Sequence, residues 1–353
     1  MNINKEFWEN KKVFITGHTG FKGAWLCQLL FYMGAEVTGY ALEPNEKSLY
    51  NILGMNNKVK SVIGEMNDLE HLQDSMLEAK PDIVFHLAAQ PLVRESYNRP
   101  VYTYETNVMG TVNLLESIRN CHSVKSVVNV TTDKVYENME WYWSYRENEN
   151  LCGHDPYSNS KSCSELVTYS YKNSFFYDDD APAISTARAG NVIGGGDFAE
   201  DRILPDCVRA AEQGQTIIVR NPYAIRPYQH VLDCLSGYLV LAQKQYEEKN
   251  KYEGNYNFGP DDKSCINTGK LVSLFCKSWG CQQKWESKSD SGPHEAQFLK
   301  LDCSKAKNIL GWKPCWDIET AIDKTVEWSK AYLESKDISK YTENQIIEYL
   351  ERH

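Results

Sequence analysis

Tyr157 and Lys161 stand four residues apart in the run Asp155-Pro156-Tyr157-Ser158-Asn159-Ser160-Lys161, downstream of Thr131-Thr132-Asp133-Lys134. Asp155 as a cap and Pro156 in the first turn mark a helix start, which puts Tyr157 and Lys161 one turn apart on one face. An ammonium held there is expected to lower the pKa of the neighbouring phenol, so that Tyr157 serves as a general base near neutral pH. Such a base takes the proton from an alcohol while a hydride leaves the same carbon. The pair alone also fits a solvated helix face, so the surrounding elements have to decide.

The N-terminus offers a seat for the hydride acceptor. Lys12 to Thr16 form a short apolar, β-favouring run, followed by Gly17-His18-Thr19-Gly20-Phe21-Lys22-Gly23 and the helical pattern from Ala24 to Leu30. In a dinucleotide site, Gly17 permits the tight turn, Gly20 lets the backbone approach a pyrophosphate, and Gly23 lets the helix pack close to the strand. The helix N-terminus then presents free N–H groups to the anion. Further strands are expected at 36–40, 59–63, 82–88 and 126–130, with helices at 68–79, 103–121 and 157–176. This alternation predicts an α/β fold with a doubly wound parallel, Rossmann-type sheet. Ligands of such sheets lie beyond the carboxyl ends of the strands, where the glycine loop, Ala88-Ala89-Gln90, Thr131 to Lys134 and Ala189-Gly190-Asn191 all fall.

From Gly194 onward the texture changes. Loops rich in Gly, Pro and Asn separate expected helices at 203–213, 232–248, 267–279, 303–310 and 317–335, with short strands at 216–220 and 255–258. The organisation expected is a cofactor domain over 1–190 that carries the catalytic residues, a smaller substrate lobe over 191–335 that partly rejoins the main sheet, and a peripheral helix over 336–353. The length of 353 residues suits one large core. A net charge of −10 argues against nucleic acid as a general partner. The eleven cysteines are odd in number, scattered and never spaced Cys-x-x-Cys, which points to reduced thiols in a cytoplasmic protein, with neither a zinc site nor a disulfide frame. No signal core and no apolar run long enough to span a bilayer is present, so no membrane role is expected.

Gly17-x-x-Gly-x-x-Gly, Leu87-Ala88-Ala89, Asn107 and Tyr157-x-x-x-Lys161 together resemble the extended short-chain dehydrogenase/reductases that act on nucleotide sugars. Longer strings narrow the resemblance: His86-Leu-Ala-Ala-Gln-Pro-Leu-Val-Arg94, Thr132-Asp-Lys-Val-Tyr136, Arg188-Ala-Gly-Asn-Val-Ile-Gly-Gly-Gly-Asp197, Arg220-Asn-Pro, Arg226-Pro-Tyr-Gln-His-Val231 and Pro293-His-Glu-Ala296. These resemble the CDP-glucose branch of the sugar 4,6-dehydratases, in which Thr-Asp-Lys stands where the dTDP-glucose branch has Thr-Asp-Glu. The resemblance implies NAD as cofactor, held by residues 17 to 23, Glu65, Met66, Leu87, Ala88, Ala89, Asn107, Thr131, Tyr157 and Lys161. It implies CDP-glucose as substrate, with Gln90, Arg94, Thr132, Asn191, Arg220, Arg226 and His294 as contacts, and a homodimer or homotetramer built on helices 103–121 and 157–176.

The triplet also makes chemical sense by itself. Oxidising C4 of a hexose makes the C5 proton acidic, because the carbanion is stabilised as an enolate by the new ketone. Loss of the C6 hydroxyl then needs a base at C5 and an acid at C6. Resemblance makes Asp133 the acid and Lys134 the base; burial favours the neutral form of each, while their mutual attraction opposes it. An ion pair closing a strand stays open as the alternative for these two. The second strand ends Thr38-Gly39-Tyr40-Ala41 without the acid that usually meets a ribose 2′-hydroxyl, leaving Glu43 as substitute, and His18 and Lys22 add positive charge nearby. A 4-epimerase or reductase would share the cofactor loop and Tyr157/Lys161 without needing Asp133 and Lys134. A silent NAD-binding regulator would need none of Thr132, Tyr157 and Lys161.

Overall fold

The computed structural model describes residues 3–280, 282–288 and 296–352. Six strands, β1 Lys12–Thr16, β2 Glu36–Ala41, β3 Lys60–Ile63, β4 Ile83–His86, β5 Ser126–Val130 and β6 Ala183–Arg188, form one sheet with the short strand Asn255–Asn257. Its order is Asn255–Asn257, β6, β5, β4, β1, β2, β3, and every neighbouring pair is parallel. The order reverses between β1 and β4, and the crevice opens at that switch point.

Alternation along the strands feeds two cores. Val13 and Ile15 point to one face and pack with Trp25, Leu26, Phe85, Val128 and Leu235. Phe14, between them, points to the other face and joins Leu72, Met76, Val84, Leu114 and Val127. Each such aliphatic or aromatic side chain contributes roughly 1.5–3 kcal/mol through burial. The covering helices include Phe21–Tyr32, Leu69–Ala79, Pro156–Phe175 and Val231–Glu247. A third core, with Ile193, Leu204, Ile217, Leu271, Phe275, Ile322 and Val326, lies outside the sheet.

Several elements differ from expectation. Strand β4 stops at His86, because Ala88 N turns to the Thr16 side-chain oxygen at 3.2 Å instead of continuing the ladder. The helix expected at 103–121 begins at Pro100 and holds a π turn at Glu105–Met109 before resuming as Gly110–Arg119. Strand β6 is buried along its whole length despite Ser185, Thr186 and Arg188. The C-terminal helix is Ile338–Arg352, and it is docked: Tyr349 is buried and its hydroxyl donates to Asp233 Oδ1 at 2.8 Å. Among the described residues no helix is long and apolar enough to cross a membrane.

Candidate active site

A cleft of about 1680 Å³ runs along the carboxyl ends of the strands. Gly17, Thr19, Gly20, Phe21, Lys22 and Gly23 form one wall. Their closeness is steric: a Cβ on Gly17 would stand 2.7 Å from Ala88 N, and one on Gly23 would stand 2.1 Å from Gly17 O. Gly20 is the N-cap of Phe21–Tyr32 and brings no side chain to cap the first turn, so that turn's N–H groups face the cleft. This cradle fits a dinucleotide pyrophosphate. Glu43, Glu65, Met66, Leu87, Ala88 and Ala89 extend the same wall.

His18 departs from the expected role. Its ring packs where a Cβ on Gly39 would come within 2.1 Å, its Nε2 pairs with Ser61 Oγ at 2.7 Å, and it does not line the cleft. Burial pushes its pKa down to about 4, so it is neutral at physiological pH and adds no charge beside the cofactor wall.

Beyond β5, Thr131, Thr132, Asp133 and Lys134 share the cleft with Tyr157 and Lys161. Asp155 caps the Tyr157 helix through Ser158 N at 2.9 Å, and Pro156 occupies its first turn. Thr132 Oγ1 donates to Asp133 Oδ1 at 3.0 Å. Asp133 is 1% exposed, and its Oδ2 has no hydrogen-bond partner among the described residues. Burial raises its pKa, against the pull of Lys134, the Thr132 hydroxyl, Arg226 and Lys22, which favours the protonated acid.

The expected activation of Tyr157 by Lys161 is not what the side chains display. Burial pushes the phenol up to about 12, the Thr132 hydroxyl pulls it back, and Asp133 raises it further. Lys161 instead donates to Val130 O at 3.2 Å, and burial with the Lys22 charge brings it down to about 8. Desolvation thus dominates at the phenol.

Across the cleft, Arg220 Nη1 donates to Asp201 Oδ1 at 2.7 Å, and Arg94 Nε lies 3.8 Å from the same oxygen. Arg226 is buried and donates to Ile225 O at 3.0 Å and to Ala296 O. Asn191 adopts φ 44°, and its buried Oδ1 has no partner among the described residues. His294 lies outside the described residues. Arg202, which no sequence motif singled out, lines the cleft, pairs with Asp197 at 2.9 Å, and its charge reaches Tyr157 and Lys22.

Residues 14–325 match the sequence family described as GDP-mannose 4,6 dehydratase. The chain belongs to that family. Over 353 aligned residues it is 49% identical to the CDP-glucose 4,6-dehydratase of Salmonella typhimurium, with 99% of this chain and 98% of that relative covered. Its fold is similar to the dTDP-glucose 4,6-dehydratase of Bacillus anthracis solved in complex with NAD, at a TM-score of 0.78 and 22% identity over 92% of this chain and 98% of that one. It is equally similar to the UDP-glucose 4-epimerase of Thermotoga maritima solved with UDP-glucose, at 0.79 and 22% over 91% and 99%.

Two expected ligand contacts of this dehydratase-family chain are internal scaffolding instead. Asn107, in the π turn, accepts from Gln90 N at 2.8 Å and donates to Gln90 O at 3.1 Å and Ser160 Oγ at 2.8 Å. Gln90 spends its own amide on Leu92 and Thr103. Neither lines the cleft, because these bonds consume their polar atoms in tying the β4 loop to the Tyr157 helix. A second clamp, also unforeseen, is Glu165 on that helix, which accepts from Thr131 Oγ1 at 2.6 Å and from Arg188 Nε and Nη2 at 2.8 Å each. It locks the ends of β5 and β6 to the helix that carries Tyr157 and Lys161.

Proposed function

We propose that this chain is a CDP-glucose 4,6-dehydratase, converting CDP-D-glucose to CDP-4-dehydro-6-deoxy-D-glucose and water. The observation that carries the reading is a buried acid, Asp133, with one unpartnered oxygen, in the same cleft as Thr132, Tyr157 and Lys161. An epimerase, which only removes and returns hydrogen at C4, has no use for it.

When bound, NAD would supply a reversible hydride acceptor for oxidation at C4 and reduction at C6, and its cationic nicotinamide would oppose the burial that raises Tyr157. Gly17 and residues 19 to 23 would hold its pyrophosphate, and Glu43 on the cleft wall with neutral His18 behind it suits a free ribose 2′-hydroxyl better than a phosphate. Tyr157 takes the C4 hydroxyl proton, with Thr132 beside the same oxygen. Lys134 removes the C5 proton, and Asp133 protonates the C6 hydroxyl as it leaves as water. Lys134 then returns a proton to C5, the ketone remains at C4, and the proton taken by Tyr157 passes by way of the Thr132 hydroxyl to Asp133, restoring both groups. Arg94, Arg220 and Arg226 receive the diphosphate, with Asp201 standing in for that anion in the present arrangement.

The division into a cofactor domain over 1–190 and a substrate lobe over 191–335 is supported by the separate apolar core outside the sheet. A homodimer or homotetramer is supported by the exposed apolar side chains of the helix pair, Val101, Met109, Leu166 and Tyr169. Cytoplasmic residence is supported by the ten cysteines among the described residues, all of them free thiols. Incubation with CDP-glucose tests the activity: a product lighter by one water is expected. An isomer of unchanged mass would indicate a 4-epimerase, and no conversion with NAD retained would indicate a regulator.

A further inference from the structure

Gly190 lies two residues beyond the end of β6, next to the β5 end that carries Asp133, and its φ is not among the left-handed values found at eight other glycines of the described residues. Backbone freedom therefore does not account for a glycine here. Space does: a Cβ at this position would stand 1.9 Å from Asp133 Oδ2, 2.1 Å from its Cγ and 2.6 Å from Oδ1. Every atom of the carboxyl group is closer than a methyl group can tolerate. The same Oδ2 is the buried oxygen without a hydrogen-bond partner among the described residues.

We propose that Gly190 is a positioning residue for the elimination step: its missing side chain is the slot in which the Asp133 carboxyl lies, aimed by Thr132 and walled off from water. The slot does two things. It holds the carboxyl at a side-chain angle where Oδ1 meets the Thr132 hydroxyl and Oδ2 has no donor among the described residues. It also gives that oxygen a C–H surface in place of a donor or water, and so withholds stabilisation from the carboxylate and keeps the group an acid. The atoms a new Cβ meets are the end of a side chain and not backbone, so the acid yields rather than the fold. The carboxyl would swing out into the cleft, where water lowers its pKa and its proton no longer points where Gly190 had aimed it.

Gly190→Ala tests this. On mixing with CDP-glucose, the variant is expected to form reduced nicotinamide on the enzyme, seen by its near-ultraviolet absorbance, while release of dehydrated product falls at least about 100-fold, the low end of what general acid catalysis contributes. The alkaline limb of kcat, set by loss of the acid's proton, moves to lower pH. In an Asp133→Ala background the same change costs no further activity, since the obstructed group is gone. Wild-type dehydration in Gly190→Ala, or equal loss of oxidation and dehydration, would overturn the inference. Should the single variant not fold, Asp133→Ala/Gly190→Ala is expected to fold as Asp133→Ala does; its failure to fold would also overturn it. The inference rests on Asp133 as the C6 acid: dehydration lost in Asp133→Asn but intact in Gly190→Ala refutes the slot alone, whereas intact dehydration in Asp133→Asn refutes the reading beneath it.

Discussion

Replacing Glu165 by glutamine keeps the side-chain shape and removes one charge from the clamp behind the catalytic strand ends. Glu165 and Arg188 are 2% and 1% exposed and paired through two of the three guanidinium nitrogens, Nη2 to Oε2 and Nε to Oε1, each at 2.8 Å. Glu165 also accepts from Thr131 at 2.6 Å and Thr186 at 2.7 Å, so all four of its bonds come from donors. An amide can offer only one acceptor oxygen, and its NH2 group would face two of those donors. Arg188 would keep its bonds to Tyr136 Oη and Glu147 O, but as an uncompensated buried cation. Breaking a buried pair from one side costs about 3–5 kcal/mol, a large share of the roughly 5–15 kcal/mol that holds a typical protein together. Urea unfolding of Glu165→Gln should show that loss, and kcat should fall because Thr131 no longer anchors the segment leading to Thr132 and Asp133. Glu165→Gln/Arg188→Met should recover part of the stability by removing the stranded charge. A loss below about 1 kcal/mol in the single variant would refute the clamp, since exposed pairs cost that little.

Tyr157→Phe retains the ring and removes the transferable proton; turnover should drop by a factor of about 10²–10⁴ with NAD still bound after desalting, and wild-type turnover would remove Tyr157 from the chemistry. Asp233, buried beneath the C-terminal helix, accepts from Cys315 N at 2.7 Å and Tyr349 Oη, yet burial raises its pKa from 3.8 to about 7. Between those values the folded carboxyl holds a proton that the unfolded one has released, so this group makes stability fall as pH rises from about 4 to 7, by about 4 kcal/mol in all. Asp233→Asn should lose that fall relative to the wild type in urea titrations across the range, and parallel curves would contradict it. Asp201→Asn removes the half-exposed carboxylate that pairs with Arg94 and Arg220, and KM for CDP-glucose should drop by up to about fivefold, the range of exposed ion pairs; a higher KM would show that Asp201 holds the arginines in place instead.

The glycine loop, the Tyr157 helix and the parallel sheet were legible because each is a local rule: Gly17 and Gly23 are required by close backbone approach, Asp155 and Pro156 by a helix start, and Val127 and Val128 by burial on both faces. What the sequence hid depends on pairing across distance. Strand β6, with Ser185, Thr186 and Arg188, reads as polar until Gln245 and Glu165 take up those groups. Asn107 and Gln90 have the right types for ligand contacts, yet they satisfy each other at 2.8 and 3.1 Å. His18 sits inside the motif but turns toward Ser61, a partner 43 residues away. The Tyr157 phenol lies above its ordinary range for the same reason, since burial is not visible in an i, i+4 spacing.

The central claim is that hydrogen leaving C4 of one sugar arrives at C6 of the same sugar before product departs, in a cleft closed enough to hold the intermediate. CDP-glucose deuterated at C4, mixed with unlabelled substrate carrying a carbon label elsewhere in the ring, tests it by mass spectrometry of the product. Deuterium should appear at C6, and only in molecules that entered with deuterium. Deuterium returned to C4, released in free reduced cofactor, or scrambled onto the carbon-labelled molecules would contradict the account.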